Sequence, residues 1–138
     1  MKKNFPNIRL RRLRNNSPIR NLIRENILSP HDLIQPIFII EGNNKTEKIK
    51  SMPDIYRMSI DIAIKEIKIL KKLGIQGIAL FPCIEKKYKD IQGTESFNQD
   101  GLMQRAIRSI KKSVKDIAII SDVALDPYTV HGQDGILG

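Results

Sequence analysis

The sequence predicts an α/β fold built on a parallel sheet, and three observations carry that expectation. Short, almost unbroken apolar runs (IQPIFII at 34–40, IALF at 78–81, IAII at 117–120) stop at turn residues, as strands buried on both faces do. Two stretches between them repeat apolar residues every three or four positions, the mark of helices packed on a sheet. The tight succession of strand, helix and strand reads as a βαβ unit with a right-handed crossover.

The elements follow in order. Residues 1–16 carry Arg9, Arg11, Arg12 and Arg14 with little apolar periodicity, which predicts an extended arm, or else a disordered basic tail. Ser17-Pro18 reads as a helix start with Ser as N-cap, and Ser29-Pro30 with Asp32 as a second, shorter one. The first strand, 34–40, closes at Glu41-Gly42, and 43–50 is a polar loop or hairpin edge. Asp54 suits a left-handed turn in SMPDIYR, whose Tyr56 and Arg57 read as structural.

Ser59 is expected to cap a helix reaching about Leu73, with Ile60, Ala63, Ile64, Ile67 and Leu70 on its core face. Asp61 in its first turn, Lys71 and Lys72 in its last, and Gly74 just beyond suit the dipole and a glycine cap. The second strand, 78–81, stops at Pro82. Cys83, at its C-terminal end, has no histidine or cationic cluster beside it in sequence and reads as a small space-filling residue. Residues 84–100 form a charged loop. Leu102, Ala106, Ile107, Ile110 and Val114 then mark a second helix, with Lys111, Lys112 and Lys115 at its end.

The chemistry gathers in 117–138, IAIISDVALDPYTVHGQDGILG. Asp122 interrupts an apolar strand, and a buried carboxylate costs several kcal/mol unless paired or hydrogen-bonded. A partner elsewhere in the fold is therefore expected. Pro127, Gly132 and Gly135 bend the following segment into a loop that bears Asp126, His131 and Asp134. A strand whose C-terminal end delivers carboxylates into a loop is where α/β proteins place their sites. By spacing alone, Asp126 and Asp134 read either as a weak cation site or as two solvated loop carboxylates. His131 reads as a proton carrier, a ligand or a structural residue.

SDVALDPYTVHGQDG resembles the metal-site segment of porphobilinogen synthase, also called 5-aminolevulinic acid dehydratase. The branch it resembles carries aspartates where another carries zinc-binding cysteines. RLRRLRNN, SPHDLIQPIFIIEG, SMPDIYRMSID, LGIQGIALFP and KDIQGTESFNQDGLMQRAIR match the family in the same order. The resemblance implies part of a (β/α)8 barrel: an arm with short helices over 1–32, then three strands and two helices over 33–138. Such barrels need about 250 residues, so an N-terminal part is expected.

The implied activity is that of a hydro-lyase of tetrapyrrole and heme biosynthesis, which condenses two 5-aminolevulinate molecules to porphobilinogen with loss of two waters. By resemblance Asp122 faces the active site, orienting substrate or shuttling protons. Asp126 and Asp134 stand at two of the three cysteine positions, and Ala124 at the third. Oxygen donors there suit Mg²⁺ or a monovalent cation and exclude a thiolate zinc site. The family's imine-forming lysines lie on later strands, beyond Gly138, and Lys65, Lys86 and Lys111 are wrongly placed to replace them. The chain alone is therefore expected to lack dehydratase activity. The family also implies a homo-oligomer, an octamer, with the arm on a neighbouring subunit.

Composition bounds the alternatives. Hydrophobic content of 41% and charged content of 28% are ordinary for a globular chain. No apolar run approaches the roughly 18 residues of a membrane helix, and the basic start lacks the apolar core of a secretory signal. One cysteine precludes an internal disulfide, so a reducing cytoplasm is expected. The net charge of +9 keeps open a basic nucleic-acid-binding module, and the length a small α/β interaction protein without enzymatic activity. Against nucleic acid, the basic residues are spread along the chain, and four Phe and three Tyr with no Trp make a poor stacking surface.

Overall fold

In the computed structural model the described residues are 10–135, so the first nine residues of the expected arm and the last three of the closing loop lie outside them. Asn16, rather than Ser17, caps the first helix, α1 (Ser17–Leu22): its Oδ1 accepts the Ile19 N–H at 3.0 Å. Asn competes as well as Ser for that position, and its longer side chain reaches the same donor. At the second expected start, a 3₁₀ turn over Pro30–Asp32, the Ser29 N–H and hydroxyl both donate to Asp32 Oδ2 at 2.8 Å.

The sheet has five strands where sequence periodicity marked three: β1 (Ile34–Ile40), β2 (Thr46–Lys48), β3 (Tyr56–Ser59), β4 (Gly77–Pro82) and β5 (Ala118–Ser121). Their order is β2-β3-β1-β4-β5, with β2 antiparallel to β3 and every other pair parallel. The segment 43–50 supplies the hairpin edge as one of the two expected readings. β3 was not expected. Its four residues are too few to show a period, and it forms because Asp54, at φ +61°, turns the chain back alongside β1.

Helices α2 (Ile60–Lys72) and α3 (Leu102–Ser113) cover one face of the sheet. Ala63, Ile67 and Leu70 of α2 and Leu102, Met103, Ala106 and Ile110 of α3 bury against Ile37, Ile39, Ile78 and Leu80. Each fully buried Ile or Leu contributes about 1.5–3 kcal/mol relative to exposure, so these stripes decide which face is inside. Past α2, Ile75 N–H donates to the Leu70 carbonyl and Gly74 N–H to that of Lys71. Gly74, at φ +94°, thus closes the helix as expected, in a conformation that costs glycine least. Ser59 stands at the N-cap of α2 without capping it. Its hydroxyl donates to Asp61 Oδ1 at 2.6 Å and accepts the Lys45 N–H at 3.0 Å, tying helix to hairpin.

The third expected strand, β5, is the last of the sheet among the described residues, and its exposure is that of an unpaired edge. Only Ile119 and the preceding Ile117 pack against the core. Asp122, expected inside an apolar strand, lies just past its end and is exposed. An apolar run reports a demand for burial, and a strand on the rim of a sheet meets only part of it.

Candidate functional site

Register aligns one residue from each parallel strand at the C-terminal end of the sheet. Phe38 of β1 pairs with Arg57 of β3 on one side and Phe81 of β4 on the other. Leu80 pairs with Ser121, so Asp122, the next residue, comes level with Phe81. Side chains alternate along strands, and Ile37, Ile39, Met58 and Leu80 belong to the helix-side core. Arg57, Phe38, Phe81 and Asp122 therefore form a row on the other face, the one without helices.

That row lines a cavity of about 430 Å³, joined by Lys89, Asp126 and Tyr128. Arg57, Cys83 and Lys89 also line an adjoining cavity of about 370 Å³. Its three carboxylates already hold cations: Glu41 pairs with Arg105, Glu47 with Lys45 at 2.8 Å, and Glu85 with Lys87 at 2.8 Å. Neither Arg57 nor Lys89 has an ion-pair partner among the described residues, so both keep charge for whatever enters. Asp122 stands across Phe38 and Phe81 from Arg57, and Asp126 lines the larger cavity with it.

Two loops build the wall. In residues 84–100, the Thr94 hydroxyl and N–H donate to Asp90, which holds that carboxyl below its usual range. Asp90 N–H donates to the Tyr128 carbonyl at 3.3 Å, and Val130 N–H to the Asp90 carbonyl at 3.0 Å, zipping this loop to the one after β5. Gly93, at φ +65°, takes the left-handed turn that sets this loop beside Tyr128 and Thr129. Tyr128 and Thr129 are buried there. Burial, with Glu95 adding to it, raises the Tyr128 pKa. Burial also raises that of the Cys83 thiol, with Arg57 opposing. An un-ionised thiol is a poor nucleophile, in keeping with a space-filling role.

The carboxylates singled out in the sequence come to one end of the sheet with distinct surroundings. Asp122 and Asp126 line the larger cavity. Asp134 does not; its Oδ1 accepts the N–H groups of Leu125, at 2.6 Å, and Asp126, at 3.0 Å. No three His, Cys, Asp or Glu side chains among the described residues gather closely enough to hold a metal ion. His131 is exposed on the same loop. Lys65, Lys86 and Lys111 are exposed and line neither cavity. Sequence reasoning gave Arg57 no binding role, noted Lys89 only as a family-like position of a charged loop, and did not single out Phe38 or Phe81. Phe38 and Phe81 read only as strand filling, and the pairing of β3 with β1 that seats Arg57 has no signature in a four-residue segment.

The family model described as delta-aminolevulinic acid dehydratase matches residues 7–138. The chain is 46% identical over 130 residues to the delta-aminolevulinic acid dehydratase of Bradyrhizobium diazoefficiens, covering 94% of this chain and 37% of that protein. It is 44% identical over 128 residues to that of Chlamydia pneumoniae, covering 93% and 39%. Among solved structures, the Toxoplasma gondii delta-aminolevulinic acid dehydratase (porphobilinogen synthase), in complex with the reaction product porphobilinogen, superimposes with a TM-score of 0.87 at 37% identity, covering 95% of this chain and 38% of that one. The chain thus spans about two-fifths of the length of these relatives. The matches favour an enzyme family over a nucleic-acid-binding module or a non-enzymatic interaction protein.

Proposed function

The chain belongs to the delta-aminolevulinic acid dehydratase family, and on that premise we propose that it forms one wall of a chamber where two 5-aminolevulinate molecules condense to porphobilinogen. Its sheet is part of a (β/α)8 barrel, whose sites open at the C-terminal ends of the strands. The observation that carries the reading is the row Arg57–Phe38–Phe81–Asp122 at that end of the sheet. Asp122 faces the cavity from the end of β5 and is the residue assigned to orienting substrate and moving protons. Phe38 and Phe81 form an apolar floor that limits water.

Imine formation, which makes a carbonyl a better electron sink, is assigned to lysines on other strands of the barrel. Exposed apolar residues on the arm (Leu10, Leu13, Leu22, Ile27 and Leu28) support its packing on a neighbouring subunit in a homo-oligomer, an octamer in this reading. The compartment assigned is the cytoplasm; among the described residues no helix is long and apolar enough to cross a membrane. Mg²⁺ or a monovalent cation at Asp126 and Asp134 fits poorly, because among the described residues no third His, Cys, Asp or Glu side chain stands close enough to complete a site. No step is assigned to a cation.

The test is direct. Purified chain incubated with 5-aminolevulinate should form no porphobilinogen, and borohydride should trap no substrate adduct. Joined to the remaining barrel strands of a relative it should gain activity, which Asp122→Asn should lower mainly in kcat. Turnover by the isolated chain, or a joined enzyme indifferent to Asp122→Asn, would overturn the assignment.

A further inference from the structure

We propose that Asp134 is a positioning residue which closes the loop after β5 by hydrogen bonding to its backbone, holding Asp126 at the cavity without a bound cation. The ring is short. Asp134 Oδ1 accepts the N–H groups of both Leu125 and Asp126, the two residues that enter the loop. One carboxyl oxygen thus satisfies two adjacent backbone donors.

A second brace lies inside the first. The Thr129 hydroxyl donates to the Gln133 carbonyl at 2.9 Å and accepts the Gln133 N–H at 3.1 Å, while the residue itself is buried. Within the turn, Tyr128 N–H and Thr129 N–H both donate to the Leu125 carbonyl. The loop is fastened outward as well, through the backbone of Asp90. Its entry, its middle and its return are therefore cross-linked by groups of this chain alone.

A cation bridging Asp126 and Asp134 would find no third protein carboxylate, thiolate or imidazole nearby among the described residues. Asp126 is instead placed by its own backbone: its N–H is fixed by Asp134, and its side chain lines the cavity with Asp122. The two aspartates thus have separate duties, one holding and one facing the cavity. This assignment rests on the loop geometry and stands apart from the identity of the reaction.

Amide hydrogen exchange on the isotopically labelled full chain tests it. After EDTA treatment the Leu125 and Asp126 amides should remain protected, and MgCl₂, KCl or ZnCl₂ should leave their exchange and shifts unchanged. Asp134→Asn, which keeps an acceptor oxygen, should retain most of the protection. Asp134→Ala should lose it by roughly tenfold or more, the scale of one hydrogen bond to a charged group, with α2 and α3 amides unaffected. Protection that appears only with added cation, or an Asn variant as exposed as the Ala variant, would overturn the proposal. If the Ala variant fails to fold, the Asn variant and the cation titration still decide.

Discussion

Phe38 and Phe81 are register partners on neighbouring parallel strands, with ring centroids 5.6 Å apart and planes inclined at 33°. They stand between Arg57 and Asp122 in the row across the sheet, so an apolar floor separates a cation from a carboxylate. An offset, tilted aromatic pair contributes about 0.5–1.5 kcal/mol beyond its buried area. Phe81→Leu should therefore lower the unfolding free energy by about 1 kcal/mol, and Phe38→Leu/Phe81→Leu should cost less than the sum of the singles. Additive losses in denaturant melts would show that the rings do not act as a pair.

Ile67 of α2 is fully buried in the helix-side core, whereas Ile34 at the start of β1 is 55% exposed. Ile67→Ala should destabilise the chain by about 2–4 kcal/mol through lost burial and the cavity left behind. Ile34→Ala should cost less than about 1 kcal/mol. Chemical denaturation of the two variants checks the contrast, and equal losses would mean that the helix-covered face is not the main core.

The Cys83 thiol is raised by burial and only partly offset by Arg57. Alkylation by iodoacetamide at pH 8 should accordingly run slower than for an unfolded control peptide, and Arg57→Gln should slow it further by removing the opposing charge. Cys83→Ala should leave the fold intact. A thiol that reacts faster than the control would contradict the desolvated site.

Asp61 and Asp90 are both held below the ordinary carboxylate range, chiefly by the hydroxyls of Ser59 and Thr94 respectively. A depressed folded-state pKa contributes stability that is present above the unfolded value, near 4, and is lost as pH falls through the folded value. Thermal unfolding followed from pH 7 down to pH 3 should show the midpoint falling below about pH 4. Asp90→Asn should flatten that fall, and should loosen the contact of the 84–100 loop with Tyr128. An unchanged acid profile in the variant would remove Asp90 from this account.

Much of the sheet and helix scaffold was written in local pattern. The stripe Ala63–Ile67–Leu70, the glycine stop at Gly74 and the runs at 34–40 and 78–81 each satisfy a nearby backbone or burial demand, so each is legible in a few residues. The motif SDVALDPYTVHGQDG likewise marked the loop and its acids, through its resemblance to a family segment and not through the spacing of the acids alone. What the sequence alone left open was how those acids divide their work. The pairing of β3 with β1 seats Arg57 beside Phe38, the register of β5 on β4 brings Asp122 level with Phe81, and the fold-back of the loop turns Asp134 toward backbone donors while Asp126 faces the cavity. Those outcomes depend on residues 9 to 41 positions apart meeting, and only tertiary packing, where one burial demand is weighed against another, settles which of them meet.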